Sequence, residues 1–262
     1  MQRLSAVNRI LRGLGDPPVS ALDTGNNSDA GEAETFLNES DIQIQTQGWA
    51  PNYQTNITIA LPDTALTATG GTGTFTYGST ITQATSGATG TFYYETGGIV
   101  YVKKLNDTAF NTANTISSGA VNRAAPTAVA TITSAKHVVP STWLMVRPSP
   151  NESKQFYNVG GFLYDPVNNT DVFTANVVID RVTQNDFTTL PEWLAEYIVA
   201  NAAIRFQRYK RRGVTDDQML MDELSGFRTR ARRENQELLR INILNNPDVR
   251  ETTYRRMTTR WS

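Results

Sequence analysis

The sequence predicts an α+β fold, with helices at both ends of the chain and antiparallel strands between them. Three observations predict it. Apolar residues recur at helical spacing near the N-terminus and beyond residue 190. The stretches 50–64 and 140–187 alternate with period two or run rich in Val and Ile. Between them, residues 66–135 hold 17 Thr, 11 Ala, 9 Gly and 5 Ser, broken by glycine-bearing turn signals.

The first helix is expected over 3–14, where Leu4, Val7, Leu11 and Leu14 form one apolar stripe. Gly15 is placed to end it, and Asp16-Pro17-Pro18 prevents continuation. A second helix is expected from Asp29, with Glu32 completing a capping box, Ala33, Phe36 and Leu37 buried, and Gly48 as its stop. Ile57, Ile59 and Leu61 then alternate with Thr58 and Ala60, as in a half-buried strand.

Within the Thr-rich segment, strands are expected at Phe75–Thr82, Gly90–Tyr94, Ile99–Lys103 and Thr127–Thr133, with a hairpin turn at Gly97-Gly98. A faint repeat runs through it. Phe75, Thr80 and Ile81 match Phe110, Thr115 and Ile116, and Thr89–Tyr94 echoes Thr127–Ile132. Two hairpin-like copies could close into a small barrel or sandwich. Further strands are expected at Trp143–Val146, Val159–Tyr164 and Asp171–Arg181.

A third helix is expected behind a Thr189/Glu192 capping box with Pro191 in its first turn, burying Trp193, Tyr197, Ile198 and Ile204 and ending at Gly213. A long fourth helix follows a Thr215/Gln218 cap, with Leu220, Leu224, Phe227, Ala231 and Leu238 on one stripe, and stops near Asn245-Asn246-Pro247. A basic, aromatic-tipped tail over 246–262 completes the chain.

Composition narrows the function. The 262 residues include no cysteine and one histidine, His137. Cysteine-based zinc sites, iron–sulfur clusters, thiol nucleophiles and paired-histidine metal sites are therefore excluded. No stretch approaches the ~20 apolar residues that span a bilayer, and the N-terminus lacks the apolar core of a secretory signal. A soluble intracellular protein is the expectation. The net charge of −1 hides an asymmetry: residues 1–200 carry −7 and residues 201–262 carry +6, with 13 arginines among the 14 basic residues of that last segment.

Chemical motifs are weak. Thr69-Gly70-Gly71-Thr72-Gly73-Thr74 lacks the Gly-Lys-Ser/Thr of a phosphate loop, and Gly13-Leu14-Gly15-Asp16 follows a helix where a dinucleotide site needs a strand. His137 reads as structural. Glu152, Asp165, Asp171 and Asp180 are available as a carboxylate pair for glycan hydrolysis, but no spacing singles out two of them. The arginines of the last helix share it with Asp222, Glu223, Glu234 and Glu237, which favours a protein-facing surface over a nucleic-acid site. Catalytic, cofactor and metal residues are accordingly expected to be absent. Arg228, Arg232, Arg233, Arg250, Tyr254, Arg255, Arg256 and Trp261 are the candidate contact residues, being of types that anchor interfaces.

Several collinear blocks stand out: Leu4-Ser5-Ala6-Val7-Asn8-Arg9-Ile10-Leu11, Gly15-Asp16-Pro17-Pro18-Val19-Ser20 and Gln45-Thr46-Gln47-Gly48-Trp49. They resume at Gly160-Gly161-Phe162-Leu163-Tyr164-Asp165, Val177-Val178-Ile179 and from Leu190-Pro191-Glu192 through Tyr197-Ile198-Val199. In these blocks and in the order of its elements the chain resembles the tail tubular protein A family, the head-to-tail adaptors or gatekeepers of short-tailed phages. On this reading, two N-terminal and two C-terminal helices make a four-helix bundle joined to an antiparallel β domain. Residues 1–64 and 137–262 form a discontinuous adaptor domain, and 65–136 an inserted all-β module. The resemblance implies a ring of about twelve copies. Its implied partners are the portal protein, the tail nozzle (tail tubular protein B) and, through the inserted module, a tail fibre. Genomic DNA only passes through the lumen, and no membrane or cofactor is involved. The rival reading is a tail-associated glycan hydrolase.

Overall fold

The computed structural model describes residues 1–22, 28–150, 152–210 and 217–244, the side chains of 217–220 and 240–244 excepted. Among these residues the chain is mixed α+β, with four α-helices and several antiparallel ladders. It divides into two compact units, one of residues 1–54 and 182–262 and one of 55–181.

The first unit is helical. Helix α1 (Arg3–Arg12) buries Ala6, Val7, Ile10 and Leu11, and stops two residues short of expectation, so that Leu14 packs from beyond its end. Gly15 then takes φ +85°, a conformation that costs a side chain with a Cβ ~1–2 kcal/mol. Helix α2 (Asp29–Gln45) starts where expected, but Ser28 is the cap: its Oγ accepts from Gly31 N at 3.0 Å. Its buried face includes Ala33, Leu37 and Ile44, while half-buried Phe36 meets the rings of Phe206 and Tyr209.

Helix α3 (Glu192–Lys210) buries Leu194, Tyr197, Ile198, Ala202, Ile204 and Phe206. The Thr189 capping box does not form. The Thr189 hydroxyl donates instead to the Asp186 carbonyl at 2.8 Å, inside a short 3₁₀ turn that Asp186 caps. Helix α4 (Asp217–Leu244) lays Leu224, Phe227 and Ala231 on the same core, which Trp49 also joins. Leu238 continues that stripe past the end of the core and is 38% exposed. The Gly213 stop, the Thr215/Gln218 cap and the tail from 245 lie outside the described residues.

A buried polar network closes this unit where the chain leaves and re-enters it. The Gln45 side chain donates to Asp41 Oδ1 and to the Asn185 carbonyl, each at 2.9 Å, and accepts from Asn185 N at 2.8 Å. Asn52 donates to the Gln45 carbonyl at 2.9 Å and accepts from Trp49 N. Gln45 is fully buried and Asn52 nearly so, so each amide must be satisfied within the protein.

The second unit is β. A seven-stranded sheet runs in the order β7-β6-β3-β4-β5-β2-β8. Its strands are β2 (Thr64–Thr67), β3 (Thr80–Gln83), β4 (Thr89–Thr96), β5 (Ile99–Lys104), β6 (Ile116–Ser118), β7 (Val121–Arg123) and β8 (Ala128–Thr131). Gly97 and Gly98 both take positive φ and join β4 to β5 as the expected two-residue hairpin. The sheet does not close into a barrel. The end strands β7 and β8 span three and four residues; β8 pairs with β2, and β7 pairs with β6 and is bridged on its other side by Thr72, whose backbone exchanges two hydrogen bonds with Asn122.

The expected strand from Phe75 begins only at Thr80. A turn at Thr76–Ser79, with Gly78 at φ +79°, intervenes, and Phe75 reaches the core by its side chain. Half of the repeat appears in the pairing. Thr82 faces its repeat mate Ser117 across the β3–β6 ladder, as a local two-fold axis requires. The other half does not: β7, and not β8, occupies the place of a second β4, because β6 returns into it as a tight hairpin.

A three-stranded sheet in the order β1-β12-β9 combines β1 (Tyr53–Ile59), β9 (Trp143–Pro148) and β12 (Val177–Thr183). The expected strand 159–164 is instead a hairpin of β10 (Tyr157–Val159) and β11 (Phe162–Tyr164), folded at Gly160-Gly161. Ile59, Leu163, Phe173, Val177 and Ile179 share one core with Phe156 and Val139.

Candidate assembly surfaces

Arg228, Arg232 and Arg233 stand exposed on α4, outside the stripe that holds the helix to its core. Arg233 pairs with Glu237 one turn on at 3.2 Å. Among the described residues Arg228 and Arg232 have no ion-pair partner. Their neighbours hold the helix: Arg230 bridges to Glu196 of α3 at 2.8 Å, Arg9 lies 5.3 Å over the Phe227 ring, and Asn235 accepts from Ala50 N at 2.7 Å. The helix is therefore held to its core, and Arg228, Arg232 and Arg233 are exposed guanidinium groups carried on it. Arg250, Tyr254, Arg255, Arg256 and Trp261 fall outside the described residues.

The carboxylates considered for hydrolysis are each occupied. Asp165 Oδ1 accepts from Val167 N at 2.9 Å and Asn168 N at 3.1 Å, and hydrogen bonds to Asn168 hold its carboxyl below the usual range. Asp171 pairs with Lys136 at 2.5 Å. Buried Asp180 accepts from Asn56 N at 3.1 Å and pairs with Arg147 at 3.5 Å. Glu152 accepts from Lys154 N and Val178 N. These are turn and strand-end fastenings.

His137 is fully buried beside Phe173, with Nε2 3.2 Å from the Ala175 carbonyl and Nδ1 unpartnered. Burial pushes its pKa down to about 4, so it is a neutral ring at pH 7. Among the described residues no cluster of three or more His, Asp or Glu could hold a metal ion, and no helix is long and apolar enough to cross a membrane.

Sequence reasoning missed one feature, a groove of about 630 Å³ in the β unit. Its walls include Ile57 and Ile59 of β1, Tyr77, Tyr93, Pro140, Ser141, Thr142, Trp143 and Arg181. A bulge creates it. The β4–β5 register shifts between Phe92 and Tyr94, leaving Tyr93 unpaired and turning its ring out of the alternation. Tyr77 then meets Tyr93 edge-on at 5.6 Å and Trp143 at 6.4 Å, and the Arg181 guanidinium lies 4.5 Å over Trp143. Burial raises both tyrosine pKa values, that of Tyr93 to about 12, so both hydroxyls stay protonated donors. No carboxylate or histidine is among the wall residues. The groove offers rings, hydroxyls and a cation, which suits binding rather than proton transfer.

A family model described as tail tubular protein matches residues 4–114 and 124–246. The chain belongs to the tail tubular protein family. It is a virion tail component of a podovirus-type phage, in a family of structural tail proteins. The match runs through all four helices, the groove and the three arginines, and continues across most of the Thr/Gly-rich segment. It skips 115–123, the β6–β7 hairpin. A search of curated proteins gives no match.

Proposed function

We propose that this tail tubular protein is the head-to-tail adaptor, or gatekeeper, of its virion: a ring of about twelve copies between portal and nozzle. The genome passes through its lumen on ejection. The family match over 4–114 and 124–246 is the observation that carries the reading. The exposed arginines of α4 support it, because a head-to-tail ring needs two unlike faces on each subunit. On this reading Arg228, Arg232 and Arg233 contact the portal or the next subunit, together with Arg250, Tyr254, Arg255, Arg256 and Trp261. The adaptor domain comprises 1–64 and 137–262, and the module 65–136 faces outward toward a fibre, the nozzle or the host surface. The protein assembles in the host cytoplasm and acts without catalysis. The occupied carboxylates and the carboxylate-free groove support that last point over glycan hydrolysis.

The test is negative-stain imaging of the pure protein mixed with its portal. Rings stacked on the portal are expected, and a monomer that leaves the portal bare refutes the reading. Truncation at Asn246 is expected to weaken portal binding, and deletion of 66–135 to leave the ring intact.

A further inference from the structure

Two features of the chain fit one another chemically. The first is the aromatic groove. The second is the loop after α1. Gly15 turns the chain at φ +85°, and Asp16 and Pro17 each precede a proline, which drives both into extended conformations. Asn8 then clamps the far end, accepting from Val19 N at 2.7 Å and donating to the Val19 carbonyl at 2.9 Å. Pro17 and Pro18 project into solvent from this fixed segment.

An extended Pro-Pro segment loses little entropy on binding, because its φ angles are already set. The surfaces that recognise such segments are grooves lined by Tyr and Trp, whose rings pack on proline rings. The groove has Tyr77, Tyr93 and Trp143 for that purpose, and its one charged wall residue is Arg181. The loop's one charge is Asp16, of opposite sign.

We propose that the groove of one subunit takes the Asp16-Pro17-Pro18-Val19 loop of a second copy of this chain. The two proline rings pack on Tyr77 and Trp143, and the Asp16 carboxylate accepts from the Arg181 guanidinium. The contact rests on the ring reading for its biological setting, since it joins unlike surfaces and so propagates head to tail. Its chemistry can be tested without a ring.

The experiment uses the full-length chain carrying Pro17→Ala and Pro18→Ala, so that its own loop competes less. A dye-labelled peptide of sequence 13–20 is titrated into it and followed by fluorescence anisotropy. Saturable binding is expected. It should weaken by about tenfold or more when the peptide prolines become alanine, or when Ser141→Trp fills the groove from its exposed rim. Asp16→Asn in the peptide should weaken it less and remove its salt dependence. Ser141→Trp leaves the aromatic walls in place, and its fold is checked by circular dichroism. No binding, or equal binding by the alanine peptide, overturns the proposal. Rings on the portal without peptide binding would sink this contact alone. Peptide binding without rings would sink the ring reading and leave the contact standing.

Discussion

Acid should loosen the β unit through His137. The ring is fully buried, its Nδ1 has no partner, and Lys154 adds a positive charge nearby. Its folded pKa of about 4 lies below the ordinary histidine value of 6.5. A base whose pKa is depressed on folding binds protons more tightly when unfolded. Its contribution is thus intact above pH 6.5 and lost as pH falls toward 4. The fall from 6.5 to about 4 corresponds to a loss of about 3 kcal/mol across that window. Hydrogen exchange over peptides spanning 135–164 reads it directly, because Leu163 N donates to the His137 carbonyl at 2.9 Å. His137→Gln keeps a donor for Ala175 and removes the titration, so its protection should fall less between pH 6.5 and 4. Identical pH profiles for the two proteins would refute the reasoning.

Three further outcomes follow from the packing. Gln45→Ala strips partners from buried Asp41 and from Asn185 N, and should cost about 2–3 kcal/mol in urea unfolding of the helical unit. Gly97→Ala forces a side chain to φ +57° at the β4–β5 turn and should lower stability by ~1–2 kcal/mol, measured by thermal melting. Charge reversal of Arg228, Arg232 and Arg233 to Glu should leave stability within about 0.5 kcal/mol, since all three are exposed. Light scattering should nevertheless show weaker assembly, and the wild-type assembly should weaken with salt. An assembly indifferent to both would exclude these arginines from the interface.

What could be read beforehand was local. The stripes of α2, α3 and α4 were legible because helical periodicity is written in neighbouring residues, and Gly97-Gly98 carries its turn in two letters. The groove was not. Its walls come from 57–60, 76–77, 93, 140–143 and 181, brought together by strand pairing, and no spacing encodes that. Phe92-Tyr93-Tyr94 reads as a plain aromatic strand, since a bulge is decided by the partner strand's register. Nothing in the spacing of Gln45, Asn52 and Asn185 joins them; the fold brings Asn52 and Asn185 onto Gln45 as hydrogen-bond partners. The cap of α2 moved from Asp29 to Ser28 because the side chain one residue earlier reaches Gly31 N.

The place of the β6–β7 hairpin has a consequence for how the sheet tolerates change. A strand inserted in the middle of a sheet changes the partners of its neighbours, whereas one added at the rim changes only the rim. This hairpin occupies the rim, and the family match passes over it. The rim is nonetheless tied inward: Ile116 is fully buried in the core of the sheet, and Arg123 reaches past β6 and β3 to pair with Glu95 of β4 at 2.9 Å. A change within 115–123 that keeps those two anchors leaves the register of β3, β4, β5 and β2 supported.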